Sequence, residues 1–138
     1  MEFKHKTLTQ RIIQAFYTVY NNLGYGFLEK VYENALLLEL KSMGFLCEKQ
    51  KPVKVLYKNQ LVGEYYADII VNNMVILELK AVKELCPEHE NQLINYLKAT
   101  KIEVGLLLNF GPKPQFKRKV YSNELKRYSL NYKSPQIK

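Results

Sequence analysis

Three ionisable residues, Asp68, Glu78 and Lys80, lie within two segments that are otherwise strongly apolar. Both segments belong to the stretch Glu64–Val82, in which they are joined by a pair of asparagines. Charged side chains in such segments are costly to bury unless they are paired or hold a metal ion. Two acids and a lysine at this spacing therefore suggest a metal-assisted hydrolytic site.

The length of the turn between the two strands decides whether the acids meet. A two-residue turn at Asn72-Asn73 would place Asp68 opposite Leu77 and leave Glu78 on the other face. A three-residue loop brings Asp68 opposite Glu78, and asparagine tolerates the left-handed backbone that such a loop needs. We predict the three-residue loop because it gathers the charges on one face. That face would carry Tyr66, Asp68, Ile70, Ile76, Glu78 and Lys80, and the apolar face Ala67, Ile69, Val71, Val75, Leu77 and Leu79.

Facing carboxylates repel unless a cation lies between them or one is protonated. Oxygen ligands without a nearby histidine or cysteine favour Mg²⁺ or Mn²⁺ over zinc. Lys80 would then orient or deprotonate a water molecule or stabilise developing negative charge. An internal salt bridge between Lys80 and one acid is the alternative, but it leaves the second acid unexplained. Cys86-x-x-His89 is too weak a pattern to predict a zinc site.

Hydrophobic periodicity and turn residues predict the elements that must position these groups. The first helix is opened by Thr7 or Thr9 and closed by Gly24, and Pro52 marks the first strand as an edge strand. The order α-α-β-β-β-α-β predicts an α/β or α+β fold with a mixed central sheet flanked by helices. The predicted helices are 7–23, 28–43 and 87–100, and the predicted strands are 45–57, 61–71, 75–82 and 102–110, with one more short strand expected later.

The second predicted helix carries Glu29 near its beginning. An acid there is favoured by the helix dipole without any further role. Glu33, one turn away, would repel Glu29 if both were exposed, which hints that Glu29 has another partner. The core-facing stripe of this helix is predicted to include Leu28, Val31, Ala35 and Leu38.

Composition indicates one soluble globular domain over residues 1–138, with 47% hydrophobic and 25% charged residues. The net charge of +8 is unevenly distributed: residues 1–112 hold 13 Lys/Arg and 12 Asp/Glu, whereas residues 113–138 hold eight basic residues and one acid. A basic segment of this kind is expected to contact a polyanion, although a solvated tail is the simpler alternative.

The N-terminus lacks an apolar segment, and the longest apolar run, Val104–Phe110, is too short to span a bilayer, so we expect a cytoplasmic protein without membrane contact.

The spacing Asp68-x9-Glu78-x-Lys80 resembles the signature of the PD-(D/E)xK nucleases, whose fold is restriction-endonuclease-like with an αβββαβ core. Tyr66-Ala67-Asp68 replaces the literal Pro-Asp of the first motif. Gly26-x-x-Glu29-x-x-Tyr32 is similar to the motif that names the GxxExxY protein family, a branch of that superfamily. The resemblance covers about residues 7–122 and continues through E-L-K-A-V at 78–82, H-E-N-Q-L-I-N-Y-L-K-A-T at 89–100 and G-L-L-L-N-F-G at 105–111.

The resemblance implies a role for each matching residue. Asp68 and Glu78 would be metal ligands together with the Leu79 carbonyl, Glu29 would be an additional acid at the metal, and Lys80 would be the catalytic lysine. The resemblance also assigns Gln92 and Tyr96 to a Q-x-x-x-Y motif that lines the active site. Their i, i+4 spacing puts both on one helical face, as would a simple polar rim.

These patterns together predict a Mg²⁺- or Mn²⁺-dependent nuclease that hydrolyses phosphodiester bonds, of DNA rather than RNA, by a metal-activated water. A homodimer or a protein partner would supply specificity. The alternatives are a nucleic-acid-binding or assembly module that keeps the fold without turnover, and a hydrolase of another phosphoester. The basic residues expected on phosphates are Lys117, Arg118, Lys119, Lys126 and Arg127. Tyr121 and Tyr128 would stack on bases or pack.

Overall fold

The computed structural model describes residues 4–126, which form three α-helices, five strands and a short 3₁₀ helix. The helices are α1 (Lys6–Leu23), α2 (Glu29–Ser42) and α3 (Pro87–Lys98), and the 3₁₀ helix is Asn123–Lys126. The strands are β1 (Cys47–Tyr57), β2 (Gln60–Val71), β3 (Val75–Lys80), β4 (Val104–Phe110) and β5 (Pro114–Val120). The predicted order of elements is confirmed, including the additional short strand. No helix among residues 4–126 combines the length and the apolarity needed to cross a membrane.

The five strands form one mixed sheet in the order β1-β2-β3-β4-β5. Only β3 and β4 are parallel, and α3 provides the crossover that a parallel pair requires. All seven residues of β4 are buried, as its continuous apolar sequence predicts. β1 is an edge strand, which explains why Pro52 is tolerated within it.

The core lies in two layers on opposite faces of the sheet. Helices α1 and α2 cover one face and α3 covers the other. At the first layer, the ring of Tyr32 stacks on Phe110 with centroids 4.4 Å apart, and Phe16 meets Phe110 edge-on at 4.8 Å. On the other face, α3 approaches β4 at Gly105, where a Cβ would lie 2.7 Å from Leu93.

The predicted core stripe of α2 is wrong. Leu28 is 79% exposed and Leu38 is 74% exposed, and Val31 is also exposed, whereas Ala35 is half-buried. The buried residues are Tyr32, Glu33, Leu36, Leu37 and Leu40. Because apolar residues surround this helix, its sequence allows more than one stripe, and the stacking of Tyr32 on Phe110 fixes which one is buried.

The predicted beginning of α1 also differs from the structure. α1 begins at Lys6 rather than at Thr7 or Thr9, after His5 in a left-handed conformation that provides no side-chain cap. Gly24 ends the helix as predicted, with a φ of 74° that suits glycine. At α3, Pro87 is the first helical residue as expected, and Cys86 and His89 form a reciprocal cap, which gives this pair a structural role.

Candidate active site

The hairpin between β2 and β3 brings Asp68 and Glu78 together. Val71 pairs with Val75 and Ile69 with Leu77, which confirms the three-residue loop, and both loop asparagines are left-handed. The backbone pairing of β2 with β3 ends at Ile69 and Leu77. Next to them, backbone N–H groups donate to the carboxylates of the two acids instead. The backbone N–H of Asp68 donates to Glu78 Oε2 at 3.2 Å, and that of Leu79 donates to Asp68 Oδ2 at 2.8 Å.

The predicted assignment of faces is only partly correct, because β2 changes its alternation at Asp68. Ile69 and Val71 pack on the α1/α2 side, but Ala67 belongs to the cluster beneath α3 together with Ile70 and Ile76. Strict alternation would put Ala67 and Ile69 on the same face. The opposing residue of β1, Gln50, has a φ of 51°, so both strands are irregular at this level. The irregularity turns the Asp68 side chain toward residues of both layers.

Burial makes the acid pair electrostatically unfavourable without a cation. Glu78 is only 5% exposed, and burial together with the neighbouring Asp68 raises its pKa to about 9. Burial also raises the pKa of Asp68, against the lowering effect of the Leu79 N–H bond. The site therefore holds a proton at neutral pH that a bound cation would displace.

Lys80 is the last residue of β3 and is half-buried. It forms no ion pair with either acid in the part of the chain that the structure describes, so the alternative of an internal salt bridge is not observed. The segment that follows Lys80 is fixed by Asn109, whose side chain accepts from the Val82 N–H at 3.0 Å and donates to the Val82 carbonyl at 2.9 Å. A Cβ on Gly111 would collide with that carbonyl oxygen, so glycine is required there.

Glu29 begins α2 and approaches the end of β3. Partial burial of its carboxylate raises its pKa, while Lys80 and the Ala81 backbone N–H lower it. Lys80 thus acts on Glu29 through its charge, but the two side chains form no ion pair within residues 4–126. Tyr32, the last residue of the G-x-x-E-x-x-Y motif, has a structural role: its hydroxyl donates to the Gly24 carbonyl at 2.6 Å and accepts from the Phe27 N–H at 3.1 Å.

Glu33 is a site residue that the sequence did not identify. It is 5% exposed, and Gln50 Nε2 donates to its carboxylate at 3.1 and 3.3 Å. The same Gln50 nitrogen lies 3.4 Å from Asp68 Oδ1, so Gln50 joins the acid of α2 to the acid of β2. The only signal in the sequence was the i, i+4 spacing from Glu29, which is also typical of surface acids.

Gln92 and Tyr96 lie together on α3, at the edge of the acid pair. Gln92 Nε2 donates to the Tyr96 hydroxyl at 2.9 Å. Burial and the nearby Glu78 raise the pKa of Tyr96 to about 12, so its hydroxyl remains protonated at neutral pH. Both residues therefore have the neighbourhood that the sequence predicted, although their role stays a prediction.

The basic residues expected on phosphates do not form one free surface. Lys117 is exposed, but Lys119 pairs with Glu90 and Arg118 donates to the Lys4 carbonyl. Lys126 does not fit the prediction, because it is 1% exposed and donates to the carbonyls of Thr100 and Ile102 at 2.9 and 2.7 Å. Arg127 and Tyr128 lie outside the described residues, and Tyr121 packs against the core beneath α3.

The donor set at the hairpin suits a small, hard cation. Asp68 and Glu78 supply two carboxylates, and Mg²⁺ is commonly held by one or two carboxylates with water completing its coordination. Within residues 4–126, no group of three His, Cys, Asp or Glu side chains is close enough to surround an ion. The pair nevertheless fits Mg²⁺ or Mn²⁺, with the Leu79 carbonyl and Glu29 as the predicted further ligands.

The model of the PD-(D/E)XK nuclease superfamily matches residues 6–120, and the chain belongs to that superfamily. The three helices and five-stranded mixed sheet of the chain confirm the predicted α+β, restriction-endonuclease-like fold. The superfamily suggests nuclease activity in general. Membership of the GxxExxY branch stays a prediction.

The fold is also similar to that in the crystal structure of SSO0001. The TM-score is 0.56 and the sequence identity 18%, over 68% of this chain and 50% of that one. The chain thus matches half the length of SSO0001, and at this identity the similarity concerns the fold alone. No curated protein sequence matches the chain.

Proposed function

We propose that the protein is a Mg²⁺- or Mn²⁺-dependent nuclease that hydrolyses phosphodiester bonds at the Asp68–Glu78 pair. The observation that carries the proposal is the burial of Glu78 against Asp68, with a pKa of about 9. A protein that only binds nucleic acid has no need of two adjacent carboxylates held in this unfavourable state. Perturbed acids of this kind are typical of functional sites.

The roles of the chain's own groups follow from their positions. Asp68 and Glu78 would hold the ion, which supplies Lewis-acid stabilisation of the phosphate and a lowered pKa for water. Lys80, unpaired with either acid, would place its ammonium against the negative charge that develops on the phosphate. Glu29, close to Lys80, would help to position it and to hold the ion.

Nucleic acid is the proposed substrate because the superfamily consists generally of nucleases, and we infer DNA rather than RNA from the resemblance to restriction-endonuclease-like enzymes. The exposed Lys117 would contribute a salt-dependent contact to phosphates. The rival function, a binding module without turnover, draws support from the lack of a third close ligand among residues 4–126. Specificity supplied by a second copy or another protein remains part of the proposal.

Cleavage assays on four substrates test the proposal. Circular single-stranded DNA, linear duplex DNA, branched DNA and RNA are each incubated with the protein and Mg²⁺, with and without a chelator. Lys80→Ala and Asp68→Ala should each lower the cleavage rate by about 100-fold or more, as expected for loss of a group that acts in the transition state. Lys83→Ala, which removes an exposed lysine three residues further on, is the matched control and should cleave at the wild-type rate.

Two results would contradict the proposal. Cleavage that persists undiminished in both site variants would show that the activity belongs to a contaminant or to another site. Binding of nucleic acid without cleavage of any substrate, with Mg²⁺ or Mn²⁺ present, would support the binding module instead.

A further inference from the structure

An open cleft of about 330 Å³ lies between α3 and β2. Its volume is at the lower end of the range found for small-molecule sites. Tyr96 connects the cleft to the proposed catalytic residues, because burial and the charge of Glu78 together raise the pKa of the Tyr96 hydroxyl. The lining residues are Tyr65 from β2 and Glu88, Asn91, Gln92, Asn95 and Tyr96 from α3.

The chemistry of this lining suits a nucleobase and not a phosphate. None of the six lining residues is a lysine or an arginine, and one of them, Glu88, is an acid. The side-chain amides of asparagine and glutamine pair with the donor and acceptor edges of bases. Tyrosine rings provide faces on which unpaired bases stack.

Two asparagines in the interior of α3 support a role in binding. Asn91 and Asn95 are exposed and one turn apart, and the ends of the helix are capped by other residues. Asparagine is a weaker helix former than alanine, lysine or glutamate, because its side chain competes for the backbone. Exposed interior positions that go against helix propensity are expected where the side chain serves another purpose.

Tyr65 and Tyr96 form the aromatic wall of the cleft. Their ring centroids are 5.7 Å apart with the planes tilted by 43°. Tyr96 is 4% exposed and tied to Gln92, so it is held in place, whereas Tyr65 is 50% exposed and presents ring surface to the cleft. Tyr96 therefore supports the ring of Tyr65, and Tyr65 offers an accessible surface for stacking.

We propose that the cleft binds an unpaired nucleobase of the substrate strand, stacked on Tyr65 and hydrogen-bonded by Asn91 and Asn95. The inference rests on the proposed nuclease function and narrows its substrate to single-stranded or locally unpaired nucleic acid. A base within a duplex has its pairing edge occupied and both faces stacked, so it enters such a cleft only after it is unpaired.

Binding measured without cleavage tests the inference separately from the nuclease proposal. In a Lys80→Ala background, fluorescence anisotropy gives the affinity for a labelled oligodeoxynucleotide and for its blunt duplex. The single strand should bind more tightly, and Tyr65→Ala should weaken its binding by about tenfold, in line with the loss of one stacked base. Tyr65→Phe should retain the affinity, because stacking does not need the hydroxyl.

The matched control is Tyr57→Ala, which removes a tyrosine of the same hairpin that is 58% exposed and lies outside the cleft. It should leave single-strand affinity unchanged. Asn91→Ala and Asn95→Ala should weaken single-strand binding without loss of folding, since alanine favours the helix. Thermal melting confirms that each variant is folded.

The inference would be overturned by tighter binding to the duplex, by equal losses in Tyr57→Ala and Tyr65→Ala, or by single-strand affinity unchanged by Tyr65→Ala. A folded Lys80→Ala protein that binds no single strand at all would also overturn it. If the wild type cleaves nothing but the predicted binding differences appear, the nuclease proposal fails and the base cleft stands.

Discussion

Asp68 and Glu78, the proposed metal ligands, are held in place by backbone hydrogen bonds. Each acid accepts a backbone N–H near the other, so their positions are fixed before any ion arrives. Gln50 and Glu33 fix Asp68 from the opposite side. Such support lowers the reorganisation needed on binding, which is what a preformed site requires.

The raised pKa of Glu78 makes the stability of the metal-free protein depend on pH. The pKa is about 9 in the folded protein and near 4.5 when unfolded, so the unfolded chain binds fewer protons at pH values between these limits. Stability is therefore greatest below about pH 4.5 as far as this group is concerned, and it is lost as the pH rises toward 9. Glu78→Gln removes the penalty and should stabilise the metal-free protein by a few kcal/mol, to order of magnitude, at alkaline pH.

Urea unfolding of wild type and Glu78→Gln at pH 5 and pH 9, with chelator present, measures this effect. The difference in the free energy of unfolding should grow from pH 5 to pH 9. A constant difference across the range would contradict the assignment of the raised pKa to Glu78. Glu84→Gln, a change at an exposed acid six residues further on, is the control.

Cation binding should release a proton at neutral pH. Glu78 must ionise to become a ligand, and about one proton should leave for each ion bound near pH 7. Isothermal titration of Mn²⁺ into the protein, in two buffers with different ionisation enthalpies, gives the number directly. Absence of a buffer dependence, with binding intact, would show that the ion is held elsewhere.

At the scale of elements, α2 shows which face a helix buries when its sequence permits several. Leu36 is fully buried, whereas Leu38, two residues on, is 74% exposed. Leu36→Ala should lower the free energy of unfolding by about 2–5 kcal/mol through lost contacts and the resulting cavity. Leu38→Ala should change it by less than about 0.5 kcal/mol.

Denaturant unfolding of the two variants, side by side, measures the contrast. Because both changes replace leucine by alanine on the same helix, differences in helix propensity cancel. Equal destabilisation by the two substitutions would mean that α2 packs through a different face in solution.

The sequence predicted those features that depend on local pattern and failed where packing decides. The order of elements, the three-residue loop and the position of Pro87 follow from periodicity and turn chemistry. The buried face of α2 does not, because it depends on the stacking of Tyr32 on Phe110 from a distant strand. The change of alternation at Asp68 is equally invisible, because it needs the left-handed Gln50 on the neighbouring strand.

Some residues of the candidate site can be recognised from the sequence, and others only from the fold. Asp68, Glu78 and Lys80 stand out because charges in apolar strands conflict with simple burial. Glu33 and Gln50 do not stand out, since an acid on a helix and a glutamine in a strand are unremarkable until the fold brings them together. Asn109 acts through the backbone of Val82, a contact across 27 positions that no spacing rule predicts.

At the scale of the whole molecule, the basic excess of the C-terminal segment is only partly available to a polyanion. Lys117 is exposed, but Lys126 is buried, and burial lowers its pKa to about 8. Lys117→Ala should reduce the salt dependence of nucleic-acid binding by about one unit of slope. Lys126→Ala should leave that slope unchanged and lower the free energy of unfolding by about 1–3 kcal/mol, because two buried carbonyls lose their donor.

Affinity for DNA measured over a series of salt concentrations, together with denaturant unfolding, separates the two residues. A reduced slope in Lys126→Ala with unchanged stability would indicate that its ammonium reaches phosphates. Lys58→Ala, at the exposed turn between β1 and β2, is a control for the loss of one positive charge.

The pairing of β2 changes at Asp68, after which β3 as well as β1 pairs with it, and this has a consequence for the candidate site. β3 pairs with β2 only from Ile69 to Val71, so residues 60–67 of β2 continue with β1 as a two-stranded arm that rests on α3. The root of this arm is the residue whose carboxylate faces Glu78. Because Asp68 directly precedes the paired segment Ile69–Val71, a ligand that displaced the far end of this arm would act on the candidate site through Asp68.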